Sequence, residues 1–273
     1  MIQLIDGLQT DQISASDRGL QFGDGCFTTA LVNQGQIHNL NAHLQRLQQD
    51  CQALAIPYTE WDLLRHEMQQ LAATTDRAVL KVIVTRGRGG RGYSCQGAVQ
   101  PCRIVSCSAY PHHYAQWQKS GITLRTSGYR LGSNSALAGI KHLNRLEQIL
   151  IKQELDHYED QEALVLDHHG DVIECCTANL FYRQGQHIYT PSLAQSGVNG
   201  TMRRLLLKLL PKMGFICQVI PCRPEALQQA DEVFVCNALM PVLPVIKIDD
   251  WYYPRGELSE RLYHLVLEQS HYA

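Results

Sequence analysis

No stretch of the 273-residue chain is apolar for the length a membrane span needs. The opening residues, MIQLIDGLQTDQ, lack the charged leader and apolar core of a signal peptide. Membrane-spanning and exported proteins are therefore not expected, and the expected compartment is the cytoplasm. Charge of one sign is also missing. Twenty-four Lys and Arg face 26 Asp and Glu, a formal net charge of −2, so no basic field points to nucleic acid. No internal repeat or low-complexity tract is visible. The ten cysteines form no C-x-x-C pair, so zinc-site spacing is absent, and most lie in apolar runs such as RIVSCSAY and EVFVCNA, where they read as small buried hydrophobes. The twelve histidines are scattered, and the pairs at 112–113 and 168–169 sit in polar turns that favour solvated loops over a metal.

What is present is an ordinary globular composition, 45% hydrophobic and 18% charged, with chain enough for one large domain or two modest ones. CFTTALV and IHNL read as strands joined by the turn NQGQ. NAHLQRLQQDCQALAI places Leu44, Leu47, Cys51 and Leu54 at helical spacing, with Asn41 as the expected cap, and TEWDLLRHEMQQLAAT repeats the pattern. Two strands, AVLKVIVTRG and CRIVSCSAY, flank the glycine-rich GRGGRGYS. That loop does not open a helix, which is weak support for a dinucleotide site. The reading is a small α+β domain over residues 1–110, a polar linker at 111–120 and a larger, strand-rich domain over 121–273. Strands and helices do not alternate strictly, which disfavours a parallel doubly wound sheet.

Three features carry chemistry. Lys141 stands in LAGIKHLNR behind small and apolar residues. It is either a lysine at a strand end with its amine in water, or an amine whose desolvation makes it a nucleophile. Glu174 is the one carboxylate in the apolar run VIECCTANLF. A buried carboxylate needs a partner, either an arginine or a protonated heteroaromatic nitrogen. Asn179, five residues on, would point to the other face of the strand and could orient a neighbour. Gly197 and Gly200 bracket a turn before a helix, where backbone N–H groups can take an anion, and Arg46 could supply the counter-charge to a phosphate.

In order, SDRGLQFGDGCF, HLQRL, RGGRGY, GIKHLNR, ECCTANLF, TPSLAQSGVNGTMR and DEVFVCNALMPVLPV resemble the fold-type IV, branched-chain-aminotransferase-like family of pyridoxal-phosphate enzymes over about residues 2–248. The resemblance implies two α/β domains with pyridoxal 5'-phosphate between them, assembled as a homodimer. It makes Lys141 the Schiff-base lysine, Glu174 the partner of the pyridine nitrogen and Arg46 a phosphate ligand. Val198 and Asn199 become the pair whose backbone N–H groups bind that phosphate. Aminotransferase relatives carry a threonine on the phosphate after the late strand; here CNAL puts Ala238 in that place, with Asn237 as the substitute. Arg91 and Tyr93 resemble residues that close over the substrate carboxylate, and Thr28 and Thr29 fall near the site. Within the family, QFGDGCFTTA, GIKHLNRLEQ and CNALMPV are most similar to the branch that eliminates pyruvate from 4-amino-4-deoxychorismate. The alternatives are a D- or branched-chain aminotransferase, a non-catalytic cofactor carrier and a cofactor-free Schiff-base aldolase.

Overall fold

The computed structural model describes residues 2–270. The chain divides into two compact units, one of residues up to Pro111 together with Ile140–Asn144, the other of His112–Gly139 and Arg145–Gln269. The division differs from the expected one in a place that matters, because Lys141 belongs to the first unit and not to the second.

The first unit contains β1 (Ile2–Ile5), β2 (Leu8–Gln9), α1 (Arg18–Phe22), β3 (Gly25–Asn33), β4 (Gln36–Ile37), α2 (Leu40–Ala53), α3 (Trp61–Ala72), β5 (Arg77–Thr85) and β6 (Cys102–Ala109). Its antiparallel sheet runs β2-β1-β6-β5-β3-β4. Alternation along the strands turns Cys26, Ala30 and Val32 of β3, and Ala78, Leu80, Val82 and Val84 of β5, onto one core. Leu44, Leu47 and Cys51 from α2 and Leu64, Met68 and Leu71 from α3 close that core, as their helical spacing predicts. Each such side chain taken fully out of water contributes about 1.5–3 kcal/mol. The expected cap of α2 is displaced. Asn39 holds the N-cap position with φ +53°, a conformation asparagine tolerates, while Asn41 lies inside the helix and accepts from Arg65 Nη2 at 2.9 Å. Arg103 of β6 grips both oxygens of buried Glu67, at 2.8 and 2.7 Å, and so ties α3 to the sheet.

Ile140–Asn144 joins this unit through backbone pairing. The Phe27 N–H donates to the Lys141 carbonyl at 2.9 Å and the Leu143 N–H to that of Gly25 at 3.0 Å. The segment thus lies along β3.

The second unit contains α4 (Tyr114–Ser120), β7 (Ile122–Leu131), α5 (Leu146–Leu155), β8 (Glu162–Asp167), β9 (Val172–Cys175), β10 (Asn179–Gln184), β11 (His187–Pro191), α6 (Thr201–Leu209), β12 (Ile216–Ile220), α7 (Pro224–Gln228), β13 (Glu232–Cys236), β14 (Leu243–Ile248), β15 (Trp251–Tyr252) and α8 (Glu257–Ser270). Its mixed sheet runs β12-β11-β10-β13-β14-β7-β8-β9, with β15 on β14. All of β8 is buried, Leu164 and Leu166 facing one core and Ala163 and Val165 another, so helices and loops cover both faces. Most of the region expected as a linker, 111–120, is α4, because Tyr114 and Trp117 pack on the core of this unit. Among the described residues no helix is long and apolar enough to cross a membrane.

Candidate active site

In the first unit the site is built on β3, α2 and the 140–144 segment. The Lys141 peptide is held on both sides: its carbonyl accepts from Phe27, and its N–H donates to Asp50 Oδ2 at 3.2 Å. Its amine lies 4.7 Å from the centre of the Phe27 ring, a face that attracts an ammonium. The side chain is half-buried, between the two alternatives the sequence left open.

Arg46 is buried on α2 and donates through Nη2 to the Thr28 hydroxyl. That hydroxyl also meets His43 Nδ1 at 2.6 Å. Thr28 is 0% exposed, and its hydroxyl is a strut for Arg46. Strand alternation puts Thr29 on the other face of β3 with Phe27, and Thr29 is half-buried there. His43 and Asp50 stand three residues before and four after Arg46. That helical spacing puts them on the same side of α2 and is the signal that could have revealed both. Arg91 and Tyr93 are exposed on the loop between β5 and β6, Tyr93 at 88%.

In the second unit Glu174 is buried on β9. Its Oε2 accepts from the Val198 N–H at 2.8 Å and from Asn179 Nδ2 at 3.3 Å, both neutral donors. Asn179 also donates to the Val198 carbonyl at 2.9 Å; it does not point away from Glu174 as expected but meets that carboxylate, because it lies on β10 and not on the strand of Glu174.

The turn before α6 departs from expectation. The Val198 amide is spent on Glu174, and the Asn199 amide on the Gly139 carbonyl at 3.0 Å. The Asn199 side chain accepts from buried Arg203 at 3.1 Å, and burial lowers the pKa of that guanidinium. The amides left to face a ligand are those of the first turn of α6, at Thr201 and Met202, which have no acceptor within the helix. No side chain caps this terminus. The signal lay in GTMRR, a small residue opening a basic helix. Two glycines shape the turn. Gly197 has φ +84°, and a Cβ on Gly200 would sit 2.3 Å from Asn179 Oδ1.

Asn237 is also committed. Its Oδ1 accepts from the Leu239 and Met240 amides at 2.8 and 2.7 Å, and its Nδ2 donates to the Thr177 carbonyl at 3.1 Å. The side chain shapes the turn after β13 instead of replacing the missing threonine hydroxyl.

The first unit offers an amine and a buried guanidinium, groups that take an aldehyde and a phosphate; the second offers a buried carboxylate held by amides and an uncapped helix start, groups that take a ring N–H and an anion. Over 265 residues the chain is 38% identical to an aminodeoxychorismate lyase of Vibrio harveyi, covering 94% of this chain and 97% of that one. It is 26% identical to a D-alanine aminotransferase of Bacillus licheniformis, over 87% of this chain and 83% of that one. The crystal structure of the 4-amino-4-deoxychorismate lyase of Pseudomonas aeruginosa superposes with a TM-score of 0.91 at 37% identity, covering 98% of each chain. Residues 25–248 match the family described as amino-transferase class IV, and the chain belongs to that family.

Proposed function

We propose that the protein is a 4-amino-4-deoxychorismate lyase that uses pyridoxal 5'-phosphate to release pyruvate and form 4-aminobenzoate, a folate precursor. The observation that carries this reading is the 38% identity to a lyase along 94% of the chain, against 28% to a putative branched-chain-amino-acid aminotransferase of Methanocaldococcus jannaschii and 26% to the D-alanine aminotransferase. Lys141 would carry the cofactor. Glu174 would face its ring nitrogen, and Arg46 with the Thr201 and Met202 amides would hold its phosphate. When bound, the cofactor supplies an aldehyde that takes up amines and a ring that accepts an electron pair.

The chain's own groups do the rest. The Lys141 amine takes the proton from the substrate carbon bearing the amino group. The bond from the neighbouring carbon to the ether oxygen breaks, and the six-membered ring becomes aromatic. The departing three-carbon enol takes a proton, which Lys141, having removed one, can return, and leaves as pyruvate. Glu174, fixed by Val198 and Asn179, would keep a proton on the ring nitrogen of the bound cofactor. Arg91 and Tyr93 would close on a substrate carboxylate, and Thr29 would lie near the site.

A homodimer and a cytoplasmic setting belong to the same reading. Exposed Leu146 and Ile149 on α5 support the first, and ten free thiols the second. The test is incubation with 4-amino-4-deoxychorismate. Release of 4-aminobenzoate and pyruvate in equal amounts is expected. Transfer of an amino group to 2-oxoglutarate with no 4-aminobenzoate would instead make the protein an aminotransferase.

A further inference from the structure

The segment between β5 and β6 carries Arg91 and Tyr93 on an exposed loop with little secondary structure of its own. Such a loop keeps one shape only where its backbone groups find partners. Here one side chain supplies partners for three successive carbonyls. Arg18 opens α1 and is 3% exposed, and its N–H donates to the Gly87 carbonyl at 2.9 Å. Its Nη1 donates to the carbonyls of Gly92 and Ser94, both at 3.0 Å, and its Nη2 to that of Tyr93 at 3.3 Å, with Cys95 Sγ 3.9 Å away.

The guanidinium is itself held. Its Nε donates to Asp24 Oδ2 at 2.8 Å, an oxygen that also takes Arg86 Nε at 2.8 Å. Its face lies 4.9 Å from the centre of the Phe22 ring, and that ring lies 5.6 Å from the Tyr93 ring. The loop is shaped to admit the fork. Gly90 has φ +71°, and a Cβ there would stand 2.1 Å from the Ser94 carbonyl oxygen and 3.1 Å from Arg18 Nη1.

We propose that Arg18 is a positioning residue: its guanidinium holds the backbone of residues 92–95 in the form that presents Arg91 and Tyr93 to the substrate carboxylate. This rests on the functional reading above. A lysine would keep the ion pair with Asp24 but, as a single compact amine, could not reach three carbonyls at once.

Cys95 gives a readout independent of turnover, because among the ten cysteines it is the exposed one. The experiment compares wild type, Arg18→Lys and Gly90→Ala. It measures the rate at which Cys95 reacts with a disulfide reagent, KM and kcat for 4-amino-4-deoxychorismate, and the visible absorption of the cofactor-loaded protein. Both variants are expected to speed the Cys95 reaction and raise KM by about tenfold, the loss of one or two charge-assisted hydrogen bonds. In both, kcat should stay within about twofold and the absorption should not change. Should Arg18→Lys fail to fold, Gly90→Ala carries the same expectations. Unchanged Cys95 rates and KM in the folded variants would overturn the proposal. So would a loss confined to kcat and the absorption. A wild type that ignores the substrate defeats the functional reading instead, and unchanged Cys95 rates then overturn the role of Arg18 by themselves.

Discussion

The Lys141 main-chain N–H donates to Oδ2 of Asp50, 3.2 Å away, so the helix that carries Arg46 also holds the peptide of the candidate nucleophile. Replacing Asp50 with alanine leaves that N–H without its acceptor, at a cost of about 1–3 kcal/mol. Asparagine keeps an acceptor oxygen. Asp50→Ala should therefore lower thermal stability and kcat together, and Asp50→Asn should restore most of both. Calorimetry and steady-state kinetics on the pair check it.

Lys141→Ala should lower turnover by at least about a thousandfold, since on the proposed reading one group would act as both nucleophile and proton carrier. Borohydride reduction of the loaded wild type, followed by peptide mapping, should put the label on residue 141 and on no other lysine.

Glu174→Gln keeps an oxygen for the Val198 amide but removes the charge that, on the proposed reading, would hold a proton on the ring nitrogen. Turnover should fall on the order of a hundredfold while the cofactor stays bound. Glu174→Ala should in addition lower the melting temperature, because the buried Val198 N–H loses its partner.

Asp24 lies between Arg18 and Arg86. Burial pushes its pKa up, but the hydrogen bonds and charges of Arg86 and Arg18 outweigh it, and the net direction is down from 3.8. A depressed carboxyl stabilises the fold at neutral pH and loses that contribution as pH falls through its folded value. Asp24→Asn should cost about 3–5 kcal/mol at pH 7 by leaving two buried cations unpaired. The difference from wild type should shrink as pH drops below the usual carboxylate range, measured by urea unfolding across pH.

Thiol chemistry should be confined to one position. Burial pushes Cys217 and Cys222 up to about 11 and Cys176 up to about 12. At pH 8 a thiol at about 11 is ionised in roughly one molecule per thousand, and the thiolate is the reactive form. Native protein should show one fast-reacting thiol, Cys95, and the others only after unfolding, as a thiol count with and without denaturant would show.

Much of the fold was legible because its signals are local. The spacing of Leu44, Leu47 and Cys51 marks α2, and the apolar alternation of β5 marks its buried face. Elements without such a signal went unread. Helix α1 spans five residues, too short for a period, and β14 carries Pro244, which argues against a strand. Among site residues, Lys141 and Glu174 were conspicuous as lone charges in apolar runs. The roles of Thr28, Val198, Asn199 and Asn237 were not readable, since each depends on which hydrogen-bonding groups are already taken.

By itself the sequence determined where most of the longer strands and helices form, which family the order of its motifs resembles, and which amine and carboxylate are set among apolar neighbours. Periodicity and local composition suffice for those. Only the tertiary structure decided that Lys141 pairs with β3, that Thr28 supports Arg46, that the amides of Val198 and Asn199 are spent within the protein, and that Arg18 fills a distant loop. Each is a contact between residues far apart in the chain. A donor has few protons to give, so its availability is known only once every competing acceptor has its place.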